Sequence, residues 1–467
     1  MDKYIAPSVS VAAINRFCEK MREENCEIHT LQIYKDGRLM VRMSFPPYSC
    51  TDTPEVYSLS KTFTAAVVGI ASDRGYLSAD DYVLKYFPEI KTDCEYFHRM
   101  KIKHVLSMNT GHARCVMPEM AFSENAANGF FSVEPEFEPG THFTYNSGAT
   151  CLLGMIVSRA TGMDFFDFAS ANLFYPLGIH NVSWGCCHDG SCQCGTGLHI
   201  SSDDISKLFL MYLGGGIYNG KRILSEEWIN ESTLPISDTS ANRKRDNSVG
   251  YGYQLWMNSQ DGYRGSGSFG QLGIVLPARN AVVVITSMVS DMQVELDGIS
   301  ELMDDLERNG NEESKDYSFP PHGKIDLPDV NNIYKLSENA QGFETLHLTV
   351  DEDGVSMHFS YRDNFGYRDK SIVTLNSGNG RWLESSFSAQ CMTSFITEIM
   401  PDYIPEKLRV ASCVESFDGK LVLCMRYLTN PHTEYYNISY NDDELDIYVS
   451  DGIRSEEKRR ICGKRIK

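Results

Sequence analysis

The 467-residue chain carries 63 acidic against 43 basic side chains, a formal net charge of −20, which excludes a nucleic-acid backbone or an anionic membrane surface as partner, because both need clustered Lys and Arg. Hydrophobic residues at 42% and charged residues at 23% fit a soluble globular protein, not a disordered one, and the length suits two domains. No run of about 18 apolar residues occurs, and Asn15 and Arg16 interrupt the apolar stretch near the start, so neither a membrane span nor a secretory signal is expected; the expected location is the cytoplasm, with the 14 cysteines mostly reduced.

Val11–Glu23 has helical apolar spacing and is expected to be an amphipathic helix. Ile28–Tyr34 and Leu39–Phe45 flank Lys35-Asp36-Gly37, a hairpin signal, and Pro46 and Pro47 end the second strand. Ser58–Arg74 reads as a helix closed by Gly75. Ile102–Met108, Asn146–Ala160 and Asp203–Leu213 are further helices, the last ended by Gly214-Gly215-Gly216. Tyr251–Met257, Ser268–Leu276 and Ala281–Met288 read as strands, and Asp291–Glu307 as a long amphipathic helix. Strands at both ends with helices between them indicate one composite domain over 1–308, of α/β (α+β) class. Its termini build an antiparallel sheet flanked by helices, and its middle forms a helical subdomain. Residues 309–328 are polar, carry Pro320, Pro321 and Pro328, and read as a linker. Thr345–Val350, Val355–Tyr361, Lys420–Tyr427 and Glu444–Val449 look like short strands, so 329–467 is expected to be a smaller all-β domain.

The chemistry starts at Val56-Tyr57-Ser58-Leu59-Ser60-Lys61-Thr62-Phe63-Thr64. On a helix, a spacing of three puts Ser58 and Lys61 on one face, about 5–6 Å apart at Cβ. A serine hydroxyl becomes a nucleophile when a neighbouring base takes its proton. A lysine can be that base when burial or nearby positive charge keeps its amine neutral. The first helical turn also favours developing negative charge. The same spacing recurs at Ser455-Glu456-Glu457-Lys458, in a charged run that reads as solvated surface. Ser58 differs because Ala65-Ala66-Val67-Val68-Gly69-Ile70 follow it, so its helix must be buried. Pattern alone leaves catalysis and an ordinary helix start both open. Tyr145, at a loop–helix junction, can relay a proton or pack beside an Asn or Ser cap. The side chains of Cys186, Cys187, His188, Cys192 and Cys194 are zinc-ligand types. Their spacing matches no common zinc template, so free thiols and no metal are expected.

Taken in order, Ser58–Lys61, the Lys103–His112 stretch and the block from Pro139-Gly140-Thr141 to Gly154 resemble the β-lactamase-related serine hydrolases. That group includes class C β-lactamases, DD-peptidases and several esterases, and the resemblance covers roughly Tyr4–Arg308. It implies Ser58 as the acylated nucleophile, Lys61 as base and Tyr145 as the proton-relay tyrosine of the second motif. It implies no cofactor and a small-molecule ester, amide, peptide or β-lactam substrate. Ser147 stands where family members commonly carry Asn. The third family motif, a strand triplet lining the site, matches the stretch Arg264–Gly270, with Gly265, Ser266 and Gly267 as the triplet. Gly265 then occupies the position of a cation, and Arg264 belongs to the opposite face, because strand neighbours alternate. By the same resemblance, the backbone N–H groups of Ser58 and Ser268 form an oxyanion hole. A missing cation weakens capture of the carboxylate that β-lactams and D-Ala peptides carry, so neutral esters or amides are the expected substrates. The altered third motif also permits a non-catalytic ligand-binding protein. The β-rich domain has no chemistry readable in its residues, and neither does the oligomeric state. Loops Cys115–Glu138 and Thr233–Ser248 shape the pocket in ways the sequence does not resolve.

Overall fold

The computed structural model describes residues 3–121, 123–308, 323–339, 342–361, 373–388, 407–417, 420–441, 443–452 and 459–466. The chain divides into two compact units, Met1–Ser44 with Cys50–Lys315, and Phe45–Ser49 with Asp316–Lys467.

In the first unit, Glu27–Lys35 and Arg38–Ser44 pair around Asp36 and Gly37, at φ +51° and +71°. Two successive left-handed residues are what a type I′ hairpin turn requires. Ala281–Met288 pairs along Glu27–Lys35, with Val283 opposite Ile33 and Ile285 opposite Leu31. The antiparallel sheet runs Lys3–Ile5, Arg38–Ser44, Glu27–Lys35, Ala281–Met288, Gln271–Leu276, Tyr263–Gly267, Trp256–Met257. Ala281–Met288 is buried at every position. A central strand covered on both faces needs no polar alternation, which is why it reads AVVVITSM. The helices Val11–Glu23 and Met292–Arg308 are joined by Arg16–Asp305 and Lys20–Glu301 ion pairs. Exposed pairs contribute little; burial of Phe17, Met21, Ile299 and Leu302 stabilises more.

The chain between these strands forms the helical part. The helix expected from Ser58 begins instead as a 3₁₀ turn, Tyr57–Leu59, followed by Ser60–Asp73. Tyr57, at φ +48°, has left-handed backbone, so the α-helix starts only beyond it. Asn146 caps Ser147–Thr161 by accepting from the Ala149 N–H, and Gly162 ends that helix at φ +70°. Ser202–Leu213 lies on the sheet, and its Phe209 ring fills the space above Gly273. Two expected strands need correction. Tyr251–Met257 is a strand only at Trp256–Met257, because Gln254 turns to φ +58°. The strand expected from Ser268 starts at Gln271, because Phe269 and Gly270 turn at φ +66° and +93°.

The second unit is an all-β barrel of ten strands among the described residues. Its sheet order is Val373–Asn379, Gly354–Tyr361, Phe343–Asp351, Val330–Leu336, Arg459–Arg465, Glu444–Asp451, Thr433–Tyr440, Lys420–Tyr427, Lys407–Phe417, Leu383–Ser388. Gly378 and Asn379 pair with Cys413 and Val414, which curls the sheet back on itself. Tyr334, Leu346, Leu348, Met357, Val410 and Ile447 belong to its apolar core. The division at 309–328 placed Phe45–Ser49 in the first domain; the structure places it with the second unit. Tyr48 packs with Ala411 and Leu428, and the Pro46 carbonyl accepts from Arg426 at 2.7 Å. Residues 309–322 of the expected linker, and Ser455–Lys458, lie outside the described residues. Among the described residues, no helix is long and apolar enough to cross a membrane.

Candidate active site

Ser58 is half-buried in the Tyr57–Leu59 turn, which neighbours fasten from several sides. The Val56 N–H donates to the Leu198 carbonyl at 2.9 Å, and the Leu59 N–H to the Val56 carbonyl at 3.1 Å. Ser60 Oγ donates to the Tyr57 carbonyl at 2.5 Å and accepts from the Leu198 N–H at 3.2 Å. These bonds offset the strain of Tyr57, which at a left-handed φ costs about 1–3 kcal/mol. Of the nine non-glycine residues at positive φ among the described residues, Tyr57, Met108, Cys194, Gln254 and Phe269 lie on segments around this turn or its neighbouring motifs. Strain of this kind clusters at functional sites.

Lys61, one turn further on, is 1% exposed. Its Nζ donates to Ser58 Oγ at 2.9 Å, Ser147 Oγ at 3.0 Å and the Gly195 carbonyl at 2.6 Å. Three oxygen partners around one nitrogen set its position. Ser147 thus offers a hydroxyl to the lysine, at the position noted above as departing from the resembled motif. Tyr145 comes to the same place, but through its ring: Lys61 Nζ is 5.0 Å from the ring centroid. The Tyr145 hydroxyl makes no hydrogen bond to a described residue, so the expected relay contact is not formed in this structure. The physical reason is stacking. The Tyr145 ring lies on Trp256 at 5.7 Å and 17°, with Tyr251 against it at 6.2 Å.

The Tyr263–Gly267 strand runs beside the Ser58 turn. A Cβ on Gly265 would lie 2.5 Å from Thr62 Oγ1, 2.6 Å from Leu59 Cδ1 and 2.8 Å from Phe209 Cζ. A Cβ on Gly267 would lie 2.1 Å from the Val56 carbonyl oxygen. Both positions therefore face the Ser58 turn and let it lie close because they lack side chains. Ser266 points the other way, toward Met292, and Ser268 is exposed just past the strand. Phe269 meets the Tyr57 ring edge-on at 5.4 Å. Arg264 is turned from this face, as alternation requires. Its guanidinium donates to the Asp246 and Met257 carbonyls and to the side chains of Asn258 and Asn247. Burial lowers its pKa to about 10, so it is charged at neutral pH. Gly265→Lys is therefore expected to cost about 1–3 kcal/mol by overpacking, not to restore carboxylate capture. Thermal melting beside penicillin hydrolysis checks this; an unchanged melting temperature with new hydrolysis would show that the space exists.

The β-lactamase family model matches residues 16–300, more than half of the chain. The chain belongs to the β-lactamase family. It is similar to a β-lactamase of Escherichia coli (strain K12), 27% identical over 131 residues, 28% of this chain and 34% of the relative. The matched stretches span about a third of the length of such curated relatives. An octameric penicillin-binding protein homologue from Pyrococcus abyssi shares the fold over 97% of this chain and 99% of its own, with a TM-score of 0.52 and 18% identity. A family VIII carboxylesterase does so over 65% of this chain and 100% of its own, with a TM-score of 0.53 and 17% identity. At these identities the structural likeness shows the fold.

Three residues that matter in this β-lactamase-family site were not found in the sequence. Gly195 holds Lys61 through its carbonyl, which no side-chain pattern can signal. Gln254, 2% exposed, accepts from Thr62 Oγ1 on its carbonyl at 3.1 Å and from Thr150 Oγ1 on its side chain at 2.7 Å. Its Nε2 donates to the Leu106 carbonyl at 2.7 Å, so it ties three helices together behind the site. Glu55, 1% exposed, accepts from Thr196 Oγ1 at 3.0 Å and the Gly197 N–H at 3.1 Å. It anchors the segment that presents Gly195, and burial pushes its carboxyl up to about 7. The cysteine-rich stretch serves the same segment: the Cys194 carbonyl accepts from Thr64 Oγ1 at 2.9 Å, and Cys151 Sγ donates to the Gln193 carbonyl. Among the described residues, no three of Cys186, Cys187, His188, Cys192 and Cys194 bring ligand atoms within 4.8 Å of one another.

Proposed function

We propose that the chain is a serine hydrolase that cleaves a neutral ester or amide through an acyl-enzyme on Ser58. The observation that carries this reading is the 2.9 Å contact of Lys61 Nζ with Ser58 Oγ in a buried, fastened turn. Lys61 takes the hydroxyl proton while Oγ attacks the substrate carbonyl carbon. The N–H groups of Ser58 and Ser268 face the oxygen that gains negative charge. The alcohol or amine departs with the proton, and water then attacks the acyl-enzyme to release the acid and regenerate Ser58. No cofactor takes part in these steps.

The preference for neutral substrates rests on the third motif. Gly265 offers no cation, and the Arg264 guanidinium is engaged on the far face. The half-buried stack of Tyr145 and Trp256 beside Lys61 suits an apolar acyl or alcohol group. The same missing cation, with the unbonded Tyr145 hydroxyl, favours a second reading: a ligand-binding protein that does not turn over. Intact mass after treatment with a fluorophosphonate probe separates the two. One adduct on the native protein, absent from Ser58→Ala, is expected, together with faster turnover of a neutral aryl ester than of penicillin. No adduct on folded protein selects the binding reading, and equal turnover of ester and penicillin removes the neutral preference.

A further inference from the structure

We propose that Cys413, Glu415 and Cys424 of the C-terminal barrel bind a thiophilic divalent cation, with zinc as the best match. Cys413 and Cys424 stand directly opposite each other on the paired strands Lys407–Phe417 and Lys420–Tyr427. Glu415 is two residues beyond Cys413, on the same face of its strand. Val414, Leu423 and Met425 belong to the apolar core of the barrel. Alternation therefore puts the three donor side chains together on the outer face. The two thiols are nevertheless 0% and 2% exposed, while Glu415 is half-buried and gives an ion a route in.

The spacing fits. Cys413 Sγ lies 3.9 Å from Glu415 Oε1, and the three ligand atoms lie within 4.8 Å of one another. A tetrahedral zinc with Zn–S of about 2.3 Å and Zn–O of about 2.1 Å sets its ligands about 3.6–3.8 Å apart. Closure by an ångström or less completes three corners, and water takes the fourth. The charges fit as well. Binding releases two thiol protons to solvent, and two thiolates, one carboxylate and one divalent ion sum to −1. Arg426, whose charge acts on Cys413, supplies the compensating +1. Without an ion, the hydrogen bond with Cys424, burial and the Glu415 charge hold the Cys413 thiol well above its usual pKa. Thiolate and carboxylate ligands together select zinc over magnesium or calcium.

The test uses the reduced full-length protein, stripped with EDTA and titrated with zinc chloride against a chromophoric chelator. One equivalent per chain is expected. Cys413→Ser and Cys424→Ser should each weaken binding at least about 100-fold, and Glu415→Gln about tenfold. Cys192→Ser, in the other unit, should leave it unchanged. Cobalt(II) in place of zinc should give a thiolate-to-metal charge-transfer band on the native chain. No equivalent bound, no cobalt band, or binding lost in Cys192→Ser instead overturns the site. If a serine variant does not fold, the native chain and Glu415→Gln decide alone, and an unchanged affinity in Glu415→Gln counts against it.

Discussion

Lys61→Met is expected to lower kcat on a neutral ester by about 10³–10⁴-fold, with little change in KM, the range for loss of a positioned general base. Methionine keeps most of the buried aliphatic volume but removes the amine and its three polar contacts. On the proposed mechanism, Ser58 Oγ then loses the group that takes its proton. The Ser147 hydroxyl and the Gly195 carbonyl lose their partner too. Leaving buried acceptors unpaired costs about 1–3 kcal/mol of stability, so a lower melting temperature accompanies the kinetic loss. Steady-state kinetics below the melting transition separate the two effects. A variant that keeps kcat within a few-fold would remove Lys61 from the chemistry and leave it a structural clamp.

The second large effect is a pH dependence of stability that originates at Glu55. Burial pushes its carboxyl from an ordinary 4.5 to about 7, and the bonds from Thr196 and Gly197 offset only part of that. The folded state therefore holds the proton more tightly than the unfolded state. Below about 4.5 both states are protonated, and the contribution of Glu55 is fully present. Between about 4.5 and 7 the unfolded chain binds fewer protons, so stability falls as pH rises. Above about 7 the loss is complete, on the order of 3 kcal/mol. Glu295, which burial pushes up to about 8, acts in the same direction. Glu55→Gln keeps an acceptor for Thr196 and Gly197 but does not titrate. Relative to the native chain it should gain stability between pH 5 and pH 8, by up to that amount. Denaturant unfolding of both proteins across the window measures the swing; parallel curves would mean that Glu55 does not carry it.

Much of the fold was readable because its elements are locally coded. The Asp36-Gly37 turn, the helix over Val11–Glu23 and the strand Ala281–Met288 follow from period and turn chemistry, and the structure has them where the pattern puts them. The errors lie where tertiary contacts override local preference. Tyr57, Gln254 and Phe269 take left-handed backbone that their residue types disfavour, held there by hydrogen bonds and ring contacts from distant segments. Each displaced an expected boundary, and each borders the candidate site. Phe45–Ser49 was misassigned for a related reason: Tyr48 finds its apolar partners at Ala411 and Leu428, far along the chain.

By itself the sequence placed Ser58 and Lys61 three residues apart at the start of a buried apolar segment, a spacing that lets their side chains meet but leaves catalysis and an ordinary helix start both open. It also determined that Arg264 and Gly265 face opposite ways, because strand alternation admits no other arrangement. Only the tertiary structure decided what surrounds that pair. The Gly195 carbonyl reaches Lys61 from 134 residues away, and Glu55 holds the segment that carries it. Tyr145 presents its ring to the lysine while stacked on Trp256. Backbone carbonyls, buried carboxyl partners and ring orientation depend on which segments meet in space, and no spacing along the chain encodes that.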